Sequence, residues 1–380
     1  MSDRIYDVLL VSFSRHSHQA SFVPAFKENP RIRIIGVADD ENIENELSSL
    51  NRKWAAQLRV PYYEGIKTAI ERPEVDIVSI GHEIERRAEI AIIAANAGKH
   101  LWIDKFIGAN RAECQSVVDA VVTAGVKSII PSYIYNDLVS QSSKLMETGR
   151  LGELIAMHIE ILFGKGIPKP IPLESRKANF LEAGRWKFPD IKREILTVGA
   201  YAVALVQQFF EPITEIYGQG GAFFFPEHAA HGADDFGTIS LVDKSGRIAT
   251  ISAGRNGVAS HSAGGPNQAF FFGTHGTGRV DGKRPGIEAH LRNRIINADF
   301  SVDEFDPMQW HSGPPNLLVG TGVEFTQVAL EELIRALDDN GTTRFTVLEA
   351  MSHMEILLAS YDSIFRGEPI SIPICDQGNQ

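Results

Sequence analysis

A charged pair, Asp104-Lys105, directly follows a short apolar run, His100–Ile103, that we interpret as a buried strand. Gly98 comes just before this run, where a helix over 88–97 should end. Charged side chains at the carboxyl end of such a strand lie where open α/β sheets bind ligands. Lys105, partly desolvated there, can donate a hydrogen bond to a substrate hydroxyl, although a solvated lysine after a strand would give the same pattern.

The elements that would position this pair alternate between strands and helices. Apolar runs predict buried parallel strands over 7–13, 31–38, 77–80, 100–103 and 127–131. Periodic segments between them predict helices over 20–28, 41–58, 88–97 and 111–124. Repeated strand–helix units favour a doubly wound parallel sheet of the Rossmann type, so residues 1–131 are expected to form one α/β domain.

The pattern changes after residue 150. Strand-like runs follow one another through Gly-rich turns over 155–163, 213–225, 236–242, 247–253 and 269–273. Helices are expected over 195–210, 323–338 and 347–366. Closely spaced strands favour a large, open, mostly antiparallel sheet. Residues 132–380 are therefore expected to form an α+β domain whose C-terminal helix packs back toward the first domain.

Composition excludes several classes of partner. The 380 residues carry a formal net charge of −11, which argues against nucleic acid and anionic membranes. The two cysteines, Cys114 and Cys375, are too far apart in sequence to indicate a disulfide framework or a cysteine metal site. The start, Met1–Asp7, has no apolar leader segment, and no run is long enough to span a membrane. A cytoplasmic location is the expectation.

Several short motifs, in this order, carry a resemblance. They are GKHLWIDK at 98–105, ETGRLGE at 147–153, DDF at 234–236, GTHG at 273–276 and the closing segment 360–373. Together they resemble the glucose–fructose oxidoreductase, inositol dehydrogenase and MocA (Gfo/Idh/MocA) family over nearly the whole chain. The resemblance implies a Rossmann domain that binds a nicotinamide cofactor, and a second domain that binds a small-molecule substrate.

The first strand–helix turn departs from this family because it has no glycine. The family's first two glycines fall on Ser14 and His16 in the loop Ser12–His18. A Cβ and an imidazole at the closest approach would push a pyrophosphate outward. Side-chain donors can hold phosphate instead, and the candidates are Ser12, Ser14, Arg15 and His16, with Ser17 beside them. A loop that has lost its ligand stays open as the alternative.

Asp39, at the end of the second predicted strand, favours retention of the cofactor. By the resemblance, an acid there accepts hydrogen bonds from both ribose hydroxyls of the adenosine half. Its charge repels a 2′-phosphate, and Asp40 adds to the repulsion. NAD is therefore expected rather than NADP.

Two further segments of the implied cofactor site differ from the family. His82-Glu83-Ile84 stands in place of Thr-Pro-Asn, and Arg87 in place of the histidine that follows. Asp104-Lys105-Phe106 replaces Glu-Lys-Pro, whose proline is often cis in the family. Phe106 is expected to keep a trans bond, because a cis bond before a residue other than proline costs roughly 2.5–4 kcal/mol. Lys105 is then expected to point in a different direction. The resulting cofactor-site candidates are His82, Arg87, Asp104 and Lys105.

The helix over 195–210 carries the second half of the implied active site. Thr197-Val198-Gly199-Ala200-Tyr201 aligns with the family pattern Asp-x-Gly-x-Tyr. The spacing places Thr197 and Tyr201 on one face, one turn apart. With Lys105 nearby, the ammonium would favour the phenolate of Tyr201 and make it a general acid or base. Lys105 and Tyr201 are the predicted catalytic residues, and Thr197 is predicted to hydrogen-bond the substrate.

Two other groups of residues are candidate ligands. Trp186 can stack on a sugar face, while Arg185 or Lys187 binds hydroxyls or a carboxylate. The remaining substrate-binding candidates, after the last Rossmann strand, are Tyr133, Tyr135 and Asn136. His228, His231 and Asp234 have metal-ligand chemistry but no strong spacing signature, so no metal site is predicted.

Three functions remain compatible with the sequence. The first is an NAD-dependent dehydrogenase or reductase acting on a sugar, polyol or related cyclic hydroxy compound. The second keeps its dinucleotide tightly bound and uses redox transiently in elimination or epimerisation. The third is a binding or regulatory protein without cofactor. The glycine-free loop favours the third, whereas the retention of Asp39, Lys105 and Tyr201 favours the first two, and we favour the first. The exposed face of a large open sheet predicts a homodimer or homotetramer.

Overall fold

The computed structural model describes residues 4–14, 17–164, 166–177, 187–188, 191–257, 266–282, 286–291, 316–318 and 325–372. The strands are β1 Tyr6–Val11, β2 Ile32–Asp39, β3 Tyr62–Glu64, β4 Ile77–Ile80, β5 His100–Ile103, β6 Ser128–Ile129, β7 Leu154–Phe163, β8 Lys187–Phe188, β9 Ile191–Lys192, β10 Ile213–Gly221, β11 Phe236–Asp243, β12 Ile248–Arg255, β13 Asn267–Gly273, β14 Gly276–Asp281, β15 Gly286–Leu291, β16 Asn316–Leu318 and β17 Ile370–Ser371. The helices are α1 Gln19–Glu28, α2 Asn45–Leu58, α3 Ile66–Ile70, α4 Ile84–Asn96, α5 Arg111–Ala124, α6 Pro131–Ile134, α7 Asp137–Glu147, α8 Glu194–Gln207, α9 Pro226–Ala230, α10 Phe325–Asp338 and α11 Val347–Arg366.

The chain divides into two compact units. The first is assembled from three separate segments, 1–135, 181–189 and 323–358. The second comprises 136–180, 190–322 and 359–380. The predicted boundary between residues 131 and 132 stays a prediction.

The first unit holds a six-stranded parallel sheet in the order β3-β2-β1-β4-β5-β6. Its central strands are apolar on both faces because helices cover both, and Val8 to Val11 and Ile77 to Ile80 are buried throughout. Trp102 on β5 is fully buried and packs edge-on against Phe22 and Phe26 of α1. The predicted Rossmann-type sheet is confirmed.

The second unit holds a nine-stranded sheet in the order β16-β15-β14-β13-β7-β12-β11-β10-β17. Only the β7–β12 pair is parallel among the described strands of this sheet, so the predicted mostly antiparallel architecture is confirmed. One face packs on α8, an almost wholly apolar helix. The helix lies close to the sheet at Gly199, where a Cβ would lie 3.4 Å from that of Ala253, an ordinary van der Waals contact.

Element boundaries differ from the predictions where tertiary contacts decide them. The run over 127–131 forms only the two-residue strand β6 before α6 begins at Pro131. The strand-like run over 213–225 ends at Gly221, because the N–H groups of Phe223, Phe224 and Phe225 turn onto the buried carboxylate of Asp235. The elements that had not been predicted are the helices α3, α6, α7 and α9 and the strands β3, β8, β9, β14, β15, β16 and β17.

Within the described residues, no helix combines the length and apolar character needed to cross a membrane.

Candidate active site

The order of the parallel sheet places a crevice between β1 and β4. The chain runs from β1 outward to β3 and then returns to β4 on the other side of β1, so β1 and β4 flank the point where the winding reverses. Ligands of open α/β sheets bind at the carboxyl ends of strands at such a point. Asp39 ends β2, Ser12 and Asp104 directly follow β1 and β5, and His82 is the second residue after β4.

Ser12 makes the sharp turn that follows β1. It lies in the left-handed region, with φ 62, which is where a glycine is usually needed. The position that requires the glycine conformation is therefore Ser12, two residues before the expected Ser14. The Ser12 hydroxyl is fully buried and has no hydrogen-bond partner among the described residues. Ser14 is also buried, whereas Arg15 and His16 lie outside the described residues.

A side chain of α2 fixes both this turn and the acid at the end of β2. The amide of Asn51 donates to Asp39 Oδ2 at 2.8 Å, and its carbonyl oxygen accepts from the Phe13 N–H at 2.8 Å. Phe13 also stacks on Trp54, with ring centroids 4.6 Å apart. Asp39 is fully buried, so Asn51 holds a preorganised carboxylate at the site edge. Sequence reasoning missed Asn51, whose one signal was that a polar residue stands on the face of α2 that becomes buried.

The residues of this edge fit a dinucleotide. The unpartnered Ser12 hydroxyl supplies a donor at the tight turn, and Ser17 adds a second hydroxyl, which bonds the Ser14 carbonyl at 3.2 Å. The α1 helix begins directly after this loop, has no acidic residue in its first turn and has no side-chain cap. A helix start of this kind favours an anionic group.

Three side chains with metal-ligand chemistry meet beside this turn, namely Asp39, Asp40 and His82. His82 Nε2 lies 3.5 Å from Asp39 and 3.8 Å from Asp40. Both carboxylates already have donors, since Asn51 bonds Asp39 and Arg86 pairs with Asp40. His228, His231 and Asp234 do not form such a group: His231 is exposed, while Asp234 is buried against Tyr361 and the Ile195 N–H.

Asp104 joins the loop after β1 to the end of β5. It is fully buried and accepts from both the backbone N–H and Nδ1 of His18 at 2.8 Å. Burial acts to raise the pKa of Asp104, but His18 and Arg87 outweigh it and hold that pKa well below its usual range. Asp104 also accepts from the Lys105 N–H at 2.8 Å, so its charge orients the start of the lysine segment. His18 was not among the predicted site residues.

Arg87 ties the loop after β4 to the same segment. It is buried and donates to the carbonyl of His82 at 2.7 Å, to that of Phe106 at 3.0 Å and to that of Lys105. A guanidinium has enough donors in one plane to serve three carbonyls at once. The structure thus brings together four predicted candidates, His82, Arg87, Asp104 and Lys105.

The Lys105–Phe106 peptide bond is cis. The expectation that Phe106 would keep a trans bond is therefore wrong. The Lys105 ammonium lies 5.5 Å from the centroid of the Phe106 ring, and Phe106 in turn contacts the Tyr133 ring.

A histidine from the last long helix completes the surroundings of Lys105. His353 on α11 is fully buried, and its ring lies 4.3 Å from that of Tyr133 and 5.9 Å from that of Phe345. Burial, followed by repulsion from the Lys105 charge, lowers the pKa of His353 to about 3. This imidazole is therefore neutral at pH 7. It lies far from Lys105 in sequence, and no local motif pointed to it.

The remaining candidates occupy different settings. Tyr135 is buried and donates to Glu332, and burial together with that carboxylate strongly raises its pKa. Asn136 caps α7 by accepting from the Val139 N–H at 3.1 Å. Thr197 and Tyr201 are half-buried on α8, and Thr197 donates to Glu194 at 3.2 Å. Lys187 lies on β8, whereas Arg185 and Trp186 lie outside the described residues.

Comparison with known families accounts for both units. Residues 13–131 match the oxidoreductase family with an NAD-binding Rossmann fold, and residues 139–279 match the Gfo/Idh/MocA C-terminal domain.

Individual relatives are distant. Levoglucosan dehydrogenase of Pseudarthrobacter phenanthrenivorans is 25% identical over 226 residues, a match that covers 56% of this chain and only 56% of that enzyme. The oxidoreductase YrbE of Bacillus subtilis is 21% identical over 90% of both chains. A crystal structure of levoglucosan dehydrogenase with NADH and levoglucosan is 15% identical, with a TM-score of 0.74 over 97% of this chain and all of that one. At such low identity, this structural likeness establishes the fold.

The buried His353 makes stability depend on pH. Its pKa is about 3 in the folded chain and about 6.5 when unfolded, so the unfolded chain binds more protons between these values. The free energy of unfolding should therefore fall by up to about 1.4 kcal/mol per pH unit as the pH drops below 6.5. Urea unfolding followed by circular dichroism at pH 7, 6 and 5 measures this slope. His353→Phe should flatten it, and the surface variant His231→Phe should not. An equal slope in wild type and His353→Phe would contradict the assignment.

Proposed function

The chain belongs to the Gfo/Idh/MocA family of oxidoreductases, with an NAD-binding Rossmann domain followed by that family's C-terminal domain, and from this premise we propose its reaction. The proposed activity is an NAD-dependent dehydrogenase acting on a hydroxyl-bearing carbon of a sugar, polyol or related cyclic hydroxy compound. The observation that carries the proposal is the buried Asp39 carboxylate, held by Asn51 at the carboxyl edge of the parallel sheet.

Asp39 is proposed to accept hydrogen bonds from the ribose hydroxyls of the adenosine half. Its charge and that of Asp40 disfavour a 2′-phosphate, so NAD is proposed as the cofactor rather than NADP. Pyrophosphate binding is proposed for Ser12, Ser14, Arg15 and His16. His82, Arg87 and Asp104 are proposed to shape the nicotinamide end, where the bound cofactor would exchange hydride with the substrate carbon.

Proton transfer is proposed for Lys105 and Tyr201. The Lys105 ammonium donates a hydrogen bond to the substrate oxygen, and the Tyr201 hydroxyl gives or receives the proton of that oxygen. Arg87 and Asp104 hold the backbone on both sides of Lys105 and so limit where its side chain can reach. Substrate contacts are proposed for Thr197, Arg185, Trp186, Lys187, Tyr133, Tyr135 and Asn136.

We also propose a homo-oligomer through the open face of the second sheet. Phe272, Ala156, Ile248 and Val242 stand opposite one another on four neighbouring strands. The side chains of Phe272 and Ile248 are 42% and 49% exposed, so this line of apolar cross-strand neighbours faces solvent in the single chain. Apolar rows of this kind are covered in stable assemblies. A cytoplasmic location is proposed because Cys114 is a buried free thiol, as is usual in reducing compartments.

Cofactor binding is the first test. One sample of the protein is denatured to detect any nucleotide that it retains. The intact protein is titrated separately with NADH and NADPH, and we expect NADH to bind with a dissociation constant in the micromolar range. Asp39→Asn should weaken it roughly 10- to 100-fold, because hydrogen bonds to a charged acceptor are worth about 1.5–3 kcal/mol. Glu64→Gln is a matched control, since Glu64 stands opposite Asp39 on β3 and is exposed.

The outcomes separate the three candidate functions. Free exchange of NADH supports the dehydrogenase. Nucleotide recovered only after denaturation supports the transient-redox enzyme. An absence of nucleotide in both assays, or Asp39→Asn binding as well as wild type, would overturn the assignment of this site.

Catalytic roles are tested by Lys105→Met and Tyr201→Phe. Each should lower kcat roughly 10²- to 10⁴-fold, the usual contribution of a positioned acid or base. The NADH dissociation constant should stay within about twofold for Tyr201→Phe. Lys67→Met and Tyr217→Phe, both exposed, serve as controls for loss of the same groups elsewhere. Retention of wild-type kcat by either site variant would remove that residue from the mechanism.

The sheet interface is tested by light scattering coupled to gel filtration. Phe272→Asp or Ile248→Asp should shift the wild-type oligomer toward smaller species, because a charge would be buried without a partner. Val122→Asp places the same charge on an exposed position of α5 and should leave the mass unchanged. A wild-type monomer, or oligomers insensitive to both sheet variants, would refute the interface.

A further inference from the structure

Three charged or titratable side chains meet at the start of α8. Glu194, the first residue of the helix, is 1% exposed. Its Oε1 lies 2.8 Å from the guanidinium of Arg255, at the end of β12, and 3.7 Å from Nε2 of His228, on α9. All three residues belong to the second unit. We refer to Glu194, His228 and Arg255 as the α8 cluster.

Several buried polar atoms of the α8 cluster have no hydrogen-bond partner among the residues that the structure describes. They are Arg255 Nε and both ring nitrogens of His228, whereas Glu194 Oε1 already pairs with the Arg255 guanidinium. Buried polar atoms nearly always have partners, so three such atoms in two residues that both lie beside Glu194 need an explanation. Asp235 does not supply it, because its carboxylate oxygens are taken by the N–H groups of Phe223, Phe224 and Phe225. Arg255 retains 26% side-chain exposure, which gives the cluster a route to solvent.

The chemistry of these atoms matches hydroxyl groups. Arg255 Nε can only donate, Glu194 Oε1 can accept a further bond beside that from Arg255, and the neutral form of an imidazole offers one donor and one acceptor. A hydroxyl both donates and accepts, so two neighbouring hydroxyls would satisfy the set. The charges also favour a neutral ligand. Glu194 already pairs with Arg255, and the nearby Asp234 pairs with Arg193. An added carboxylate would bring an unbalanced negative charge into a buried region.

We propose that the α8 cluster binds two neighbouring hydroxyl groups of a neutral polyhydroxylated substrate and selects it over carboxylate analogues. This inference rests on the proposed dehydrogenase function and specifies which substrate groups are recognised. Glu194 also accepts from Thr197, which lies one helical turn before Tyr201 on the same face of α8. Hydroxyls held by the cluster therefore lie along the helix that carries the proposed proton-transfer tyrosine.

The test compares binding of neutral and acidic probes to wild type and variants. The neutral probes are myo-inositol, levoglucosan and D-glucose, each with a monodeoxy analogue where one exists, and the acidic probes are D-glucuronate and L-tartrate. Titration calorimetry with and without NADH gives dissociation constants, and turnover of any bound probe gives KM and kcat. The variants are His228→Gln, Arg255→Met and the conservative Glu194→Gln, each checked for folding by its thermal midpoint. Arg247→Met is the matched control, because Arg247 pairs with Asp243 at 2.7 Å and is 21% exposed.

At least one neutral probe should bind wild type, with a dissociation constant or KM that rises 10- to 100-fold in His228→Gln and Arg255→Met. The NADH dissociation constant should stay within twofold, Arg247→Met should match wild type, and the variant effect should vanish for the deoxy analogue that lacks a bound hydroxyl. Undiminished probe binding in folded variants would overturn the inference and leave the dehydrogenase proposal intact. Arg255-dependent binding of the acidic probes alone would also overturn it, as would the failure of every neutral probe to bind wild type. In the last case the NADH titration judges the dehydrogenase proposal separately.

Discussion

The first unit depends on one buried carboxylate, that of Asp104. It is fully buried, and its charge is compensated by hydrogen bonds from His18 and the Lys105 N–H and by the Arg87 guanidinium 3.7 Å away. His18 and Arg87 come from the loop after β1 and the helix after β4, while Asp104 itself follows β5. A single charge thereby fixes three strand ends relative to one another. This arrangement also positions Lys105, because Asp104 accepts a hydrogen bond from the Lys105 N–H and Arg87 donates one to the carbonyl of the next residue, Phe106.

The second unit uses buried carboxylates in a similar way, but to hold irregular backbone. Asp235 collects the three N–H groups that follow β10, and Asp234 accepts from the N–H of Ile195 at the start of α8. Each satisfies donors that neither sheet nor helix could use. These two acids adjoin one another in the chain at the point where β11 begins. Side-chain carboxylates thus add to strand pairing in holding the backbone near the start of α8.

Much of the fold could be predicted from sequence because its signals are local. The strands over 77–80 and 100–103 and the helix over 111–124 have the predicted bounds, since apolar runs and turn residues define them. The positions of Asp39 and Lys105 at the carboxyl edge of the parallel sheet could be predicted because each residue stands at the end of an apolar run. Asn51, His18 and His353 were missed, because each acts on residues distant in sequence and carries no motif. The need for a left-handed residue at Ser12 was also hidden, because a serine takes the place of the usual glycine.

The discontinuous make-up of the first unit bears on how the chain is made. All strands of its parallel sheet lie within residues 1–135. His353 and Phe345, whose rings contact that of Tyr133, belong to the later segment 323–358. A ribosome adding roughly 5–20 residues per second needs about 10–40 s to pass from one segment to the other. Throughout that interval the nascent sheet exposes the apolar surface that α10 and α11 later cover. Synthesis of this chain therefore includes an obligatory period in which the half-finished first unit is a natural client for chaperones.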